Sequence, residues 1–128
     1  MDHVYYFDGN PKRISWVIQN EKTNVEQYRE HAENYLDKVS DEQSKYIALH
    51  VGIFWCIGTF IIKNGDIIKI MLDSKTMHDH LSNDTISTDY FIKRRIGFIK
   101  QLIDQRKLVI KYELINPTQN IATRALSL

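Results

Sequence analysis

A near-continuous apolar run from Ile67 to Leu72 constrains the fold of this chain more than any other feature. Runs of this kind are typical of strands that are buried on both faces, as in a sheet covered by helices on each side. Asp73-Ser74 follows the run directly and predicts its end. The sequence therefore predicts a central strand in a mixed α/β domain.

A predicted hairpin precedes that strand. Residues 4–7 are rich in strand formers, and the strong turn signal Asp8-Gly9-Asn10-Pro11 follows them. Residues 14–18 alternate in polarity and predict the partner strand. The next segment, residues 24–36, is ambiguous. Its apolar residues recur at helical spacing, yet a third strand of a meander fits the segment equally well.

Amphipathic helices are predicted between and after the strands. Ser40-Asp41-Glu42 is typical of a helix start, and apolar residues at helical spacing follow it. A short helix is predicted after Ser74 and a longer one after Asp89, which can cap it. A last strand over residues 108–115 and a short terminal helix over residues 121–128 complete the expected order.

The composition indicates one globular domain spanning residues 1–128. No apolar segment is long enough to cross a bilayer, so no membrane partner is expected. The net charge of +1 argues against a protein held to nucleic acid by bulk positive charge, so any such contact needs a local patch. The single cysteine, Cys56, cannot form an internal disulfide, which favours a cytoplasmic setting.

Three acidic residues stand at positions where they could converge. Asp8 follows the first strand, Asp73 follows the buried strand, and Glu42 lies in the first turn of the helix between them. If the two strands are parallel neighbours, their carboxyl ends open at the same edge of the sheet, where ligands usually bind. Clustered carboxylates suit Mg²⁺ or Mn²⁺. Taken singly, Asp8 and Glu42 are more simply explained as a turn residue and a helix-start acid.

The order of the motifs carries a family resemblance. The segments Tyr6-Phe7-Asp8-Gly9-Asn10, SDEQSKYIAL (residues 40–49) and IMLDSK (residues 70–75) stand in this order. They resemble the Asp-Gly-Ser first-strand motif, the Asn-Asn-Glu-Ala-Glu-Tyr-x-Ala-Leu helix start and the strand-Asp-Ser motif of type 1 ribonucleases H. The tail, residues 112–126, is similar to that family's last strand and final helix start. The resemblance covers essentially the whole chain. It implies a ribonuclease H-like α/β fold, whose mixed central β-sheet combines an antiparallel meander with parallel strands and is flanked by α-helices.

The same resemblance implies an activity and a set of site residues. The family cleaves the RNA strand of RNA–DNA hybrids with two divalent ions, here Mg²⁺ or Mn²⁺. Asp8, Glu42 and Asp73 match three of its four catalytic, metal-binding carboxylates. The fourth is missing, because Thr123 or Arg124 stands at its place depending on the alignment, which implies reduced cleavage.

Substrate contacts are implied at the turn after the first strand and at the first helix start. The residues concerned are Gly9, Asn10 and Ser40, and Lys75 lies near the expected nucleic acid. Contacts to sugar and phosphate carry no base information, so no sequence-specific DNA recognition is expected. The basic run Lys93-Arg94-Arg95 is interpreted as a solvated helix face rather than as a set of phosphate contacts.

Two functions remain open at this point. The first is a metal-dependent endonuclease acting on RNA–DNA hybrids, which the three acids favour. The second is a catalytically impaired ribonuclease H-like module that binds nucleic acid or a protein partner without cleavage. The missing fourth acid and the near-neutral charge favour the second function.

Overall fold

The computed structural model describes all 128 residues. A five-stranded sheet is covered by three α-helices, and two short 3-10 turns follow the last strand. The strands are β1 (Asp2–Gly9), β2 (Arg13–Gln19), β3 (Asn24–Glu30), β4 (Ile67–Leu72) and β5 (Val109–Leu114). The helices are α1 (Asp41–Gly58), α2 (Lys75–Ser82) and α3 (Tyr90–Gln105), and the 3-10 turns are Pro117–Gln119 and Thr123–Ser127.

The sheet is mixed, as the sequence predicts. Its strand order is β3-β2-β1-β4-β5. The first three strands form an antiparallel meander, and β1, β4 and β5 run parallel to one another. The ambiguous segment forms strand β3, which pairs with β2 over its whole length. Its apolar pattern is weak because an edge strand that is partly exposed needs no continuous apolar face.

The predicted terminal helix is smaller than expected. Only Thr123–Ser127 is helical, and it is a 3-10 turn rather than an α-helix. This turn contacts the first three strands of the sheet. The residue before it, Ala122, is also held by β2, because the Ser15 hydroxyl donates to the Ala122 carbonyl at 2.7 Å. The chain end is therefore attached to the antiparallel half of the sheet.

Helix α1 lies across β1 and β2 and fills the main core. Its start is fixed by a capping box, in which the Ser40 hydroxyl accepts from Gln43 N and the Gln43 side chain accepts from Ser40 N, both at 3.0 Å. Gly52 faces β1 and β2 so closely that an added Cβ would lie 1.7 Å from the Tyr5 hydroxyl oxygen. No helix of the chain is long and apolar enough to span a membrane.

A buried histidine joins β3 to α1. The Nε2 atom of His31 lies 2.7 Å from the Ser44 Oγ and 3.0 Å from the Asn10 carbonyl oxygen. Burial lowers the pKa of His31, although the contact with the Asn10 carbonyl opposes this effect. Burial also lowers the pKa of His50 on α1, and the nearby Arg95 adds to that effect. Folding therefore favours the neutral form of both imidazoles.

We expect the free energy of unfolding to fall as the pH decreases through 6.5, the ordinary value for histidine. A group whose pKa is lowered by folding stabilises the fold above its unfolded pKa, and this contribution is lost as the unfolded state takes up the proton. Urea titrations between about pH 7.5 and about pH 5 measure the slope. The double variant His31→Gln/His50→Gln is the control and should show a flatter pH dependence. An equal slope in both proteins would contradict the assignment.

Candidate nucleic-acid site at the sheet edge

The first and fourth strands bring two acidic residues together. They are parallel neighbours, which is the condition under which Asp8 and Asp73 lie at the same sheet edge, and their register pairs Tyr5 with Ile70. Continuing that register by three residues sets Asp8 opposite Asp73. Their side chains are only 8% and 5% exposed, so the carboxylates lie in the protein rather than in bulk water.

A lysine from α1 lies between these two acids. The Lys45 Nζ is 2.8 Å from Asp73 Oδ1 and 3.8 Å from Asp8 Oδ1, and the side chain is 21% exposed. The capping box at Ser40 fixes where α1 begins, and the packing of α1 on β1 and β2 fixes which face it turns to the sheet. The ammonium group thus supplies the positive charge that two neighbouring carboxylates need.

The segment after β5 completes the site. The Thr123 hydroxyl donates to Asp8 Oδ2 at 2.6 Å. The Asn120 side-chain amide donates to Asp73 Oδ2 and to the Phe7 carbonyl oxygen, both at 2.9 Å. This amide connects β1 and β4 beyond the last paired residues of the two strands.

All four carboxylate oxygens of the pair therefore have protein donors. Gly9 N donates to Asp8 Oδ1 at 2.8 Å, and that oxygen also faces Lys45. Thr123, Lys45 and Asn120 account for the remaining three oxygens. Hydrogen-bonded carboxylates are held in one orientation, so the centre is a closed network of two negative charges and one positive charge.

The third predicted acid is placed differently. Glu42 is exposed in the first turn of α1 and forms no hydrogen bond or ion pair with a side chain of the site. The chain contains no group of three or more acidic, histidine or cysteine residues that could hold a metal ion. The structure brings Asp8 and Asp73 together but leaves Glu42 outside the pair, and its catalytic role stays a prediction.

The residues present do not fit the pair of Mg²⁺ or Mn²⁺ ions that the resemblance implies. Divalent ions of this kind take several oxygen ligands, and a two-ion centre needs carboxylates free to bridge them. Here the chain supplies two carboxylates, both hydrogen-bonded, with an ammonium group 2.8 Å from one of them. A cation entering the centre would have to displace Lys45 against charge repulsion.

The other predicted site residues surround this centre. Gly9 is buried against α1, where an added Cβ would lie 2.7 Å from the Ser44 carbonyl carbon. The Asn10 Oδ1 accepts from the backbone of Lys12 and Arg13, so this side chain shapes the β1–β2 turn.

Two basic residues proposed for the site lie in different settings. Lys75 is exposed at the start of α2 and is free of ion pairs. Arg124 is paired with Glu26 on β3, with its Nε 3.0 Å from Glu26 Oε2. Of the two residues considered for the fourth acid, Thr123 therefore reaches the site and Arg124 does not.

Sequence reasoning missed Lys45 and Asn120. A signal for Lys45 was available in the helix-start motif. When that motif is aligned on Tyr46-Ile47-Ala48-Leu49, Lys45 falls on the glutamate directly before the tyrosine, and Glu42 does not. The resemblance marks Asn120 as the first residue of an Asn-x-x-Ala-Asp-like helix start. That its side-chain amide joins two strand ends follows only from the three-dimensional arrangement.

Comparisons with known proteins agree on the architecture. No protein-family model and no curated protein matches the chain. A ribonuclease H1 from the archaeon Halobacterium salinarum superposes with a TM-score of 0.78 at 16% identity, covering 99% of this chain and 98% of that one. An N-terminal RNase H domain from Mycobacterium tuberculosis gives 0.76 at 15% identity, covering 98% and 94% of the two chains.

A third structure is similar and contains a nucleic acid. It is a ribonuclease H1 isolated from compost, solved in complex with an RNA/DNA hybrid. It superposes with a TM-score of 0.69 at 18% identity and covers 95% of this chain and 91% of its own. At these identities the likeness is one of fold.

Proposed function

Because this chain has the ribonuclease H-like fold, we propose that it binds RNA–DNA hybrids at the sheet edge around Asp8 and Asp73 without metal-dependent cleavage. The function is thus that of a nucleic-acid-binding module in which the network around Asp8, Asp73 and Lys45 is a fixed structural element.

One observation carries the second half of this proposal. The ammonium group of Lys45 lies 2.8 Å from Asp73 and 3.8 Å from Asp8, between the two carboxylates that a reaction centre would need. It neutralises one of their two charges and occupies one oxygen of Asp73 directly. Since the remaining oxygens accept from Thr123, Asn120 and Gly9, the centre has no carboxylate oxygen left without a donor.

Hybrid binding is supported by the fold and by the residues around the centre. A structure of the same fold holds an RNA/DNA hybrid. In this chain, the exposed Ser40 hydroxyl, whose proton is free to donate, and the exposed ammonium group of Lys75 offer contacts to sugar and phosphate. A 2′-hydroxyl both donates and accepts hydrogen bonds, and it distinguishes the RNA strand from DNA.

The first test measures binding with and without metal. Fluorescence anisotropy with a blunt-ended RNA–DNA hybrid should give the same affinity in Mg²⁺ and in EDTA at matched ionic strength. Lys75→Ala should weaken binding about threefold and lower the slope of log affinity against log salt by about one. Lys63→Ala, an exposed lysine before β4, is the matched control and should leave both values unchanged. Binding that disappears in EDTA would contradict a metal-independent module.

The second test measures cleavage. The chain should leave the labelled hybrid intact in Mn²⁺ over hours. Cleavage by the unmodified chain that is lost in Asp73→Asn would instead favour the endonuclease that the sequence analysis kept open. Equal cleavage by both proteins would indicate a contaminating nuclease.

A further inference from the structure

Helices α1 and α3 carry an exposed surface of aromatic rings and arginines that the sheet-edge site does not use. Its residues come from α3, from α1 and from the segment between β3 and α1. They are Tyr35, Phe54, Tyr90, Arg94, Arg95 and Phe98, and together they are called the aromatic–arginine face. Tyr90 is 75% exposed, Phe54 60% and Phe98 42%, which is unusual for three large rings on one side of a small domain.

The rings and cations alternate along α3. Tyr90, Arg94 and Phe98 are spaced four residues apart, so they lie on the same side of the helix. The Arg94 guanidinium lies 5.5 Å from the centre of the Phe98 ring. The arrangement is thus a solvent-facing stripe of ring, cation and ring, in which the His50 ring also stacks on Phe98 with ring centres 6.3 Å apart.

The second arginine is held in place by aromatic neighbours. The Arg95 guanidinium lies 5.8 Å from the centre of the Tyr35 ring and donates to its hydroxyl at 2.9 Å. It also lies 5.4 Å from the Phe91 ring and 3.1 Å, through Nη1, from His50 Nδ1. These contacts order Arg95 without neutralising it.

No carboxylate pairs with either arginine. Asp89 at the start of α3 does not pair with the arginines, because its carboxylate accepts from the backbone N–H of Phe91 and from the Gln43 side chain. Lys93 adds a further exposed positive charge next to the two arginines. The face therefore has a positive charge that its own neighbours leave uncompensated.

Two open clefts of about 280 Å³ each lie on this face, and Arg95 lines both. One lies between Tyr35, Tyr90 and Phe98, and the other lies beside His50 and Phe54. Planar groups can therefore stack on the rings of adjacent clefts while an anionic linker follows the arginines between them.

We infer that the aromatic–arginine face binds single-stranded nucleic acid. The bases would stack on Tyr90, Phe98 and Phe54, and the phosphates would pair with Arg94 and Arg95. A strand with exposed bases offers flat rings and regularly spaced negative charges together. An acidic peptide would use the arginines but not the rings, and a second copy of this chain would place arginine against arginine.

The test uses the whole chain and fluorescent single strands of thymidine and of uridine, each about twelve nucleotides long. Binding should weaken about tenfold in Tyr90→Ala and in Phe98→Ala, because each ring supplies one stacking platform. Arg94→Ala should lower the salt dependence. Phe60→Ala, which removes a ring that is 80% exposed after the end of α1, is the matched control and should bind as the unmodified chain does.

The outcomes separate this inference from the proposed function. Selective loss in the three face variants, with blunt hybrid binding unchanged, supports a second nucleic-acid surface. Absence of binding, or equal affinity in Phe60→Ala and Phe98→Ala with both weakened, overturns it. Concentration-dependent dimerisation that Phe98→Ala abolishes, without oligonucleotide binding, also overturns it and identifies the face as a contact between copies.

Discussion

The double variant Lys45→Glu/Thr123→Asp is expected to bind Mn²⁺ and to cleave RNA–DNA hybrids, whereas the unmodified chain is expected to do neither. The two changes replace the ammonium beside Asp73 and the hydroxyl beside Asp8 with carboxylates, so that four acids share one small site. Two ions bridged by such a set stabilise both the attacking and the leaving oxygen of a phosphodiester. This stabilisation amounts to several kcal/mol, so cleavage should rise by about a thousandfold or more.

The same variant should become dependent on metal for its stability. Without a cation the four carboxylates repel one another, and the free energy of unfolding should fall below that of the unmodified chain. Mn²⁺ at a hundred times its dissociation constant should restore about 2.7 kcal/mol, or about 10 °C in melting temperature. The unmodified chain should show no such shift, and calorimetry measures both proteins.

A neutral control tests whether charge is responsible. Lys45→Gln/Thr123→Asn removes the same groups without adding carboxylates, so it should gain neither metal-dependent stability nor cleavage. Metal stabilisation of this control, or its absence in the acidic variant, would show that the site does not accept cations in the way its geometry indicates.

Gly52→Ala is expected to destabilise the chain by about 3 kcal/mol. The added methyl group would meet the Tyr5 hydroxyl at 1.7 Å and the Trp16 ring at 2.8 Å, and both of these side chains are fully buried. Tyr5 would have to give up its 2.8 Å hydrogen bond to the Ala48 carbonyl, which leaves a buried hydroxyl donor unpaired. Thermal unfolding should show a decrease of about 10 °C.

Gly97→Ala is the matched control for this change. Gly97 lies within α3 as Gly52 lies within α1, but an added Cβ there meets no atom within 4 Å. Alanine should therefore stabilise α3 by about 0.5–1 kcal/mol through its better helix propensity. If Gly52→Ala stabilised the chain as Gly97→Ala is expected to do, helix propensity rather than close packing would dominate at Gly52.

Local patterns were sufficient to predict most of the fold. The apolar run at Ile67–Leu72, the turn after Asp8 and the helix start at Ser40 each correspond to an element boundary in the structure. The periodicity of residues 24–36 fits a helix and a strand equally well, and only the family resemblance favours a strand there. Seven residues of pairing with β2 decide for a strand. Strand pairing depends on two segments together, so the residue pattern of one segment alone does not predict it.

The site was predicted only in part. The parallel neighbours β1 and β4 make Asp8 and Asp73 adjacent, as expected from their positions at the strand ends. A pattern of clustered carboxylates predicts a metal ion between them and does not indicate that a lysine, here Lys45, takes that position. Asn120 and Thr123 reach the site from the far end of the chain, at separations of 47 and 115 residues from their acidic partners.

The ammonium group between the two aspartates is a counter-ion attached to the polypeptide. A bound metal exchanges with its surroundings and is lost on dilution or chelation, whereas this charge stays at a fixed stoichiometry for as long as α1 remains folded. The sequence itself therefore encodes a positive charge at the sheet edge, and this charge does not depend on the concentration of any free ion.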